Sequence, residues 1–149
     1  MADLIANELF RVEAGRAVLF ASRRRSTGVV KFPAEKATLF SNDIATDIES
    51  IELSTEGTLY TFTTQQFPPP LPFRGRRSPD TFAPYVVGFV ELTEGVIVES
   101  LIVDAVLSDL HIGQQLISTS TAIETADGAT LITFAFKPAQ PRKPVERST

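Results

Sequence analysis

Between residues 85 and 136 the chain carries four successive segments, 85–92, 96–103, 114–121 and 129–136, each dense in β-branched and aromatic residues and separated by short turns or a short link. In the first, Val86, Gly88, Val90 and Leu92 fall on one side of a strand and Val87, Phe89 and Glu91 on the other, and Glu94-Gly95 supplies a hairpin turn. Residues 105–112 read as a short helical or irregular link joining the middle pair. Upstream, Ile48, Ile51 and Leu53, then Leu59, Tyr60 and Phe62, flank Glu56-Gly57, which predicts a hairpin or one long bent strand.

Five strands with one internal link and a long early loop fit a five-stranded, closed barrel of the oligonucleotide/oligosaccharide-binding (OB) type, so the fold class is mostly β. The early loop is residues 67–84, which hold six of the ten prolines together with Arg74, Gly75, Arg76 and Arg77, and cannot be a regular strand. Before the barrel, residues 16–22 predict a strand from the run Ala17-Val18-Leu19-Phe20. A basic turn over 23–28 and a second short strand over 29–32, closed by Pro33, complete a hairpin. Residues 2–12 suit a short amphipathic helix or an edge strand. The expected organisation is an N-terminal hairpin lobe over 1–45, the barrel over 46–138 and a mobile, Pro-rich tail over 139–149.

Composition bounds what this chain can do. Its 149 residues, 43% hydrophobic and 21% charged, are enough for a packed core and exclude wholesale disorder. There is no cysteine, hence no disulfide, thiolate nucleophile or Cys-ligated metal. Residues 1–7 lack the basic start and long apolar run of a secretory signal, and no later stretch approaches a membrane span, so a cytoplasmic protein with no membrane partner is expected. The net charge of -4 is unevenly spread. Lys and Arg are absent between Ser78 and Phe136, a span with eight Asp and Glu, whereas cations gather at Arg23, Arg24 and Arg25, at Arg74, Arg76 and Arg77, and in the tail. Those clusters are where anionic partners would bind.

The strings Pro84-Tyr85-Val86-Val87-Gly88-Phe89-Val90-Glu91-Leu92, Glu94-Gly95-Val96, Ile112-Gly113 and Phe134-Ala135-Phe136-Lys137-Pro138, in this order, resemble the family catalogued as domain of unknown function 35, over roughly residues 9–138. Members join an N-terminal rubredoxin-like zinc ribbon to a C-terminal OB barrel. The ribbon part of the resemblance lies in Ala21-Ser22-Arg23-Arg24-Arg25-Ser26-Thr27-Gly28, in Phe32-Pro33 and in residues 38–42. A ribbon needs two Cys-x-x-Cys knuckles, because four thiolates in a tetrahedron must come from two tight turns. The corresponding positions here are Arg24 and Thr27, then Thr38 and Ser41; none is a zinc ligand, and a guanidinium would repel the ion. Two readings follow. Either the lobe is a metal-free remnant held by Val18, Phe20, Val30, Phe32, Leu39 and Phe40, or Arg23, Arg24 and Arg25 have taken over the vacated knuckle as an anion or partner contact.

Catalytic chemistry finds little support. His111 is the one histidine, and a general base needs a positioned partner that nothing in the sequence places beside it. Pairs such as Glu91 and Glu94, or Asp104 and Asp109, sit where solvated barrel rims carry carboxylates. No Gly-rich phosphate loop is present. The resemblance implies a non-catalytic accessory subunit that completes or stabilises a thiolase-like acyl-CoA-processing enzyme in a hetero-oligomer. Phe73, Arg74, Arg76 and Arg77, near Tyr85, combine an aromatic ring with guanidinium forks in a Pro-stiffened loop, suited to the phosphates of an acyl-CoA or to an acidic partner face. A stand-alone acyl-CoA-binding module is the alternative. A single-stranded nucleic-acid partner is disfavoured, because the acidic barrel repels phosphate backbones. No cofactor is expected.

Overall fold

The structure, a computed structural model, describes residues 3–4, 8–35, 47–65, 85–124 and 127–139. The strands among these residues are β1 (Asp3–Leu4), β2 (Phe10–Glu13), β3 (Arg16–Arg24), β4 (Val30–Lys31), β5 (Ile48–Glu52), β6 (Glu56–Gln65), β7 (Tyr85–Leu92), β8 (Ile97–Ile102), β9 (Gln115–Glu124) and β10 (Thr130–Pro138). A 3-10 turn, Leu107–Asp109, interrupts the link between β8 and β9.

Five strands close on themselves. β6 pairs antiparallel with β7, β7 with β8, and β9 with both β10 and β6, while β8 and β10 meet in parallel through Leu101 opposite Ala135 and Ile102 opposite Phe136. One parallel contact in an otherwise antiparallel ring is the mixed five-stranded barrel of the OB fold. β1 adds a parallel sixth strand against Leu131 and Ile132. Alternation along β7 and β8 sends Val90, Leu92, Val98 and Ile102 inward, as the period of two requires.

The segment before the barrel departs from expectation. Residues 48–62 form neither a hairpin nor one bent strand: β5 pairs with β3, while β6 pairs with β7 and β9. Gly57 is no turn residue either. A Cβ on it would fall 2.7 Å from Leu92 Cδ2 and Val90 Cγ1 and 2.9 Å from the Glu91 carbonyl, so glycine is set there by the close approach of β7. The stretch over 2–12 adopts the strand alternative where it is described, in β1 and β2.

The lobe is a second sheet in which β3 is central. β2 covers its first half, and β4 and β5 flank its second half. Ala17, Leu19 and Ala21 are buried, while Val18 and Phe20 are half-buried on the opposite face. The run Ala17-Val18-Leu19-Phe20 is apolar on both faces, so its inward parity follows from where the strand docks. It docks on the barrel: Phe10, Ala17, Leu19 and Ala21 share one core with Leu59, Val90, Leu116 and Phe136. Buried Ser118 of β9 adds a polar stitch, donating to the Ala17 carbonyl at 2.7 Å and accepting from the Ala17 N–H at 3.2 Å. Phe134 sits edge-on between Phe10 and Phe32, at 5.5 and 5.7 Å between ring centres, and ties both lobe hairpins to β10.

Candidate functional site

The turn at the expected first knuckle, residues 24–28, is tight. Gly28, at φ +77°, lets the chain turn back so that its N–H donates to the Arg24 carbonyl at 2.7 Å, and the Arg24 N–H donates to Val29 at 2.9 Å. Where a ribbon would hold a cation between thiolates, this turn holds carboxylates around a cation. The Arg24 guanidinium donates to both oxygens of Glu35, at 3.0 and 3.2 Å, and lies 3.5 Å from Asp47. Asp47 also accepts from the Ser26 N–H at 2.9 Å and the Ser26 hydroxyl at 2.7 Å. Glu35 is seated by its own N–H, which donates to the buried Ser22 hydroxyl, and by Lys31 at 3.3 Å. The forked geometry of guanidinium and carboxylate favours such a junction. Arg24 thus fastens together the two ends, Glu35 and Asp47, of the segment 36–46.

Arg23 and Arg25 are drawn into the same sheet, both toward Glu49, at 2.8 and 3.6 Å. Arg11 pairs with Glu13 and Glu52 and lies 5.9 Å from the centre of the Phe20 ring. An external anion at Arg23, Arg24 or Arg25 would have to compete with these carboxylates. Thr38, Leu39, Phe40 and Ser41 lie outside the described residues. Among the described residues no group of three His, Cys, Asp or Glu side chains could hold a metal.

These contacts make the lobe acid-sensitive. The hydrogen bond from Arg24 holds the Glu35 carboxyl below its ordinary range, the Ser26 hydroxyl does the same for Asp47, and Arg11 for Glu52. A carboxylate with a depressed folded value contributes stability above its unfolded value, about 4, and loses that contribution as the pH falls through the folded value. Melting temperature is therefore expected to drop as the pH falls below about 4, with a shallower drop for Arg24→Gln. Equal slopes in the two proteins would remove Arg24 from the account. Added salt should lower the stability modestly as well, because these side chains are only partly buried.

Of the other candidates, Tyr85 opens β7 opposite Gln65 and is half-buried, and desolvation raises its phenol. Phe73, Arg74, Arg76 and Arg77 lie outside the described residues, as does the tail from residue 140. The loop that carries them joins the first two barrel strands, a position where OB barrels hold their ligands. His111 is exposed, its Nδ1 3.2 Å from the Asp109 carbonyl, and no described hydroxyl or carboxylate side chain bonds to the ring.

An open cleft of about 460 Å³ lies between lobe and barrel, lined by Val18, residues 52–56, Thr93 and Glu94. Glu94 accepts from the Ser54 N–H at 3.0 Å, and its other oxygen is buried without a partner among the described residues. With Glu52, Glu56 and Glu94 on its walls the cleft is a poor home for phosphates. In the sequence Glu94 reads as a residue of a solvated turn, because its link to Ser54 spans 40 positions and leaves no local signal.

Comparison with known proteins agrees with this architecture. Residues 50–117 match the family described as ChsH2, C-terminal OB-fold domain. A protein of Methanocaldococcus jannaschii named DUF35 domain-containing scaffold protein is 29% identical over 131 residues, covering 88% of this chain and 84% of that protein. The solved structure titled Ltp2-ChsH2(DUF35) aldolase superposes with a TM-score of 0.55 at 24% identity, covering 83% of this chain and 86% of its own, and shares the fold. The chain is therefore similar to proteins of the domain of unknown function 35 family and shares their OB-type barrel, while its own sequence contains no cysteine.

Proposed function

We propose that this chain is a non-catalytic accessory subunit that binds and stabilises a thiolase-like acyl-CoA-processing enzyme, such as an acyltransferase, a thiolase or a retro-aldol lyase. The observation that carries this reading is the extent of the likeness to the M. jannaschii scaffold protein, which runs through lobe and barrel alike. The shared core supports it, because a lobe welded to the barrel presents one rigid body to a partner. The solved relative is titled as an aldolase with a second component, which is consistent with catalysis by a partner.

Within this reading Phe73, Arg74, Arg76 and Arg77 make the contact to the acyl-CoA phosphates, with Tyr85 at the foot of the loop. Calorimetry with a CoA thioester should give binding heat that disappears when the three arginines are changed to alanine; silence from the unaltered chain would leave docking as the only role. The accessory role itself is tested by co-expression with a thiolase-like subunit from the same genome. A stable complex and higher partner activity are expected. A chain that remains monomeric and leaves that activity unchanged would refute it.

A further inference from the structure

The outer face of the barrel carries a set of large apolar side chains that stay substantially exposed. Tyr60, on a bulge of β6, is 54% exposed; Phe89 on β7 is 37%, Ile97 on β8 is 41%, and Ile112 in the link is 67%. The strand register brings them together. Thr61, next to Tyr60, stands opposite Phe89; Phe89 stands opposite Glu99, and Ile97 opposite Glu91. Phe89 and Ile97 are therefore diagonal neighbours, within reach of an aromatic side chain. The link runs alongside, since the Gly113 N–H donates to the Leu59 carbonyl and the Leu59 N–H to Gln114, each at 2.8 Å. The result is an apolar diagonal across three strands, interleaved with Glu91 and Glu99.

The charges decide what fits there. In the lobe, Arg11, Arg23, Arg24, Arg25 and Lys31 all face carboxylates of the same sheet or its flanks. Glu91 and Glu99 have no cation within ion-pair reach among the described residues. The second and third barrel strands form the face on which OB barrels commonly hold nucleic acids, yet two carboxylates without a cation among the described residues turn phosphates away from it. A second copy would set carboxylate against carboxylate. An apolar centre with an anionic border instead suits a protein surface with an apolar centre bordered by Lys and Arg.

We infer that the outer face of β6, β7 and β8, centred on Tyr60 and Phe89 with Glu91 and Glu99 as its charged border, docks a partner protein through an apolar patch ringed by lysine and arginine. The inference rests on the accessory role and names the surface that performs it. Aromatic residues at the centre of an interface carry a large share of the affinity, while border charges act mainly on the rate of encounter.

The test uses the full chain and a thiolase-like subunit encoded in the same genome, with binding followed by surface plasmon resonance at two salt concentrations. Tyr60→Ala and Phe89→Ala are each expected to weaken binding about tenfold or more. Glu91→Lys with Glu99→Lys should slow association and flatten its salt dependence. None of the four positions is buried, so circular dichroism should stay unchanged, and Phe89→Tyr, which keeps the ring, should bind far better than Phe89→Ala if the ring makes the contact. Binding that survives both sets of substitutions overturns this face and leaves the accessory role standing. A wild-type chain that does not bind overturns both. A chain that dimerises alone and is dissociated by Phe89→Ala makes the face a self-contact, which also overturns the inference.

Discussion

Replacing Phe136 with alanine is expected to cost the fold about 3–5 kcal/mol, a large part of the 5–15 kcal/mol that holds a typical domain together. Phe136 is fully buried and sits where the barrel closes. It stands opposite Ile102 in the short parallel contact between β8 and β10, opposite Ser118 on β9, and its carbonyl accepts the Val103 N–H at 2.9 Å. Losing the ring opens a cavity at the seam of the five-strand barrel with the fewest described register pairs, two. Urea titration should show a lower midpoint with an unchanged slope. A loss under about 1 kcal/mol would mean that the seam is closed by something other than this ring.

The second large effect is expected at Leu19, in the lobe. Leu19→Ala removes a buried side chain from the core shared with the barrel, at an expected cost of about 2–5 kcal/mol. Where that loss appears matters more than its size. The chain has two tyrosines, Tyr60 on β6 and Tyr85 on β7, and no tryptophan, so intrinsic fluorescence reports on the barrel alone. If lobe and barrel form one cooperative unit, Leu19→Ala shifts the fluorescence-detected transition as far as the one seen by circular dichroism. An unmoved fluorescence transition would show that the lobe unfolds separately.

Much of the barrel is legible in the sequence because its cues are local. Residues 85–92 alternate with a period of two and become β7 with those bounds. Residues 105–112 lack a strand pattern and become the link with its one short turn. The β3–β4 hairpin follows from the apolar run, the turn and Pro33. What could not be read depends on partners far along the chain. Alternation cannot say that Leu19 rather than Val18 points inward, since both are apolar and the barrel decides. Nor can it say that Ile48–Glu52 crosses to β3 instead of folding onto the next strand. Arg24 is recognisable as a residue that cannot ligate zinc, but its pairing with Glu35 and Asp47, 11 and 23 positions on, exists only once the lobe is folded. The exposed diagonal of Tyr60, Phe89 and Ile97 is hidden for the same reason. Each residue reads as an ordinary strand-former, and only the register and the bulge place them together.

The arginine-centred knuckle and the carboxylate-bordered barrel face divide the molecule by charge. Among the described residues, Arg11, Arg23, Arg24, Arg25 and Lys31 of the lobe pair with carboxylates of their own sheet or its flanks, while Glu91 and Glu99 of the barrel have no such partner and form the border of the docking face inferred above. The account as a whole is tested most directly by native mass spectrometry of the chain co-expressed with a thiolase-like acyl-CoA enzyme. It predicts a hetero-oligomer in which this chain contributes its metal-free mass. A chain that appears only by itself, or that carries a stoichiometric zinc ion, would contradict it.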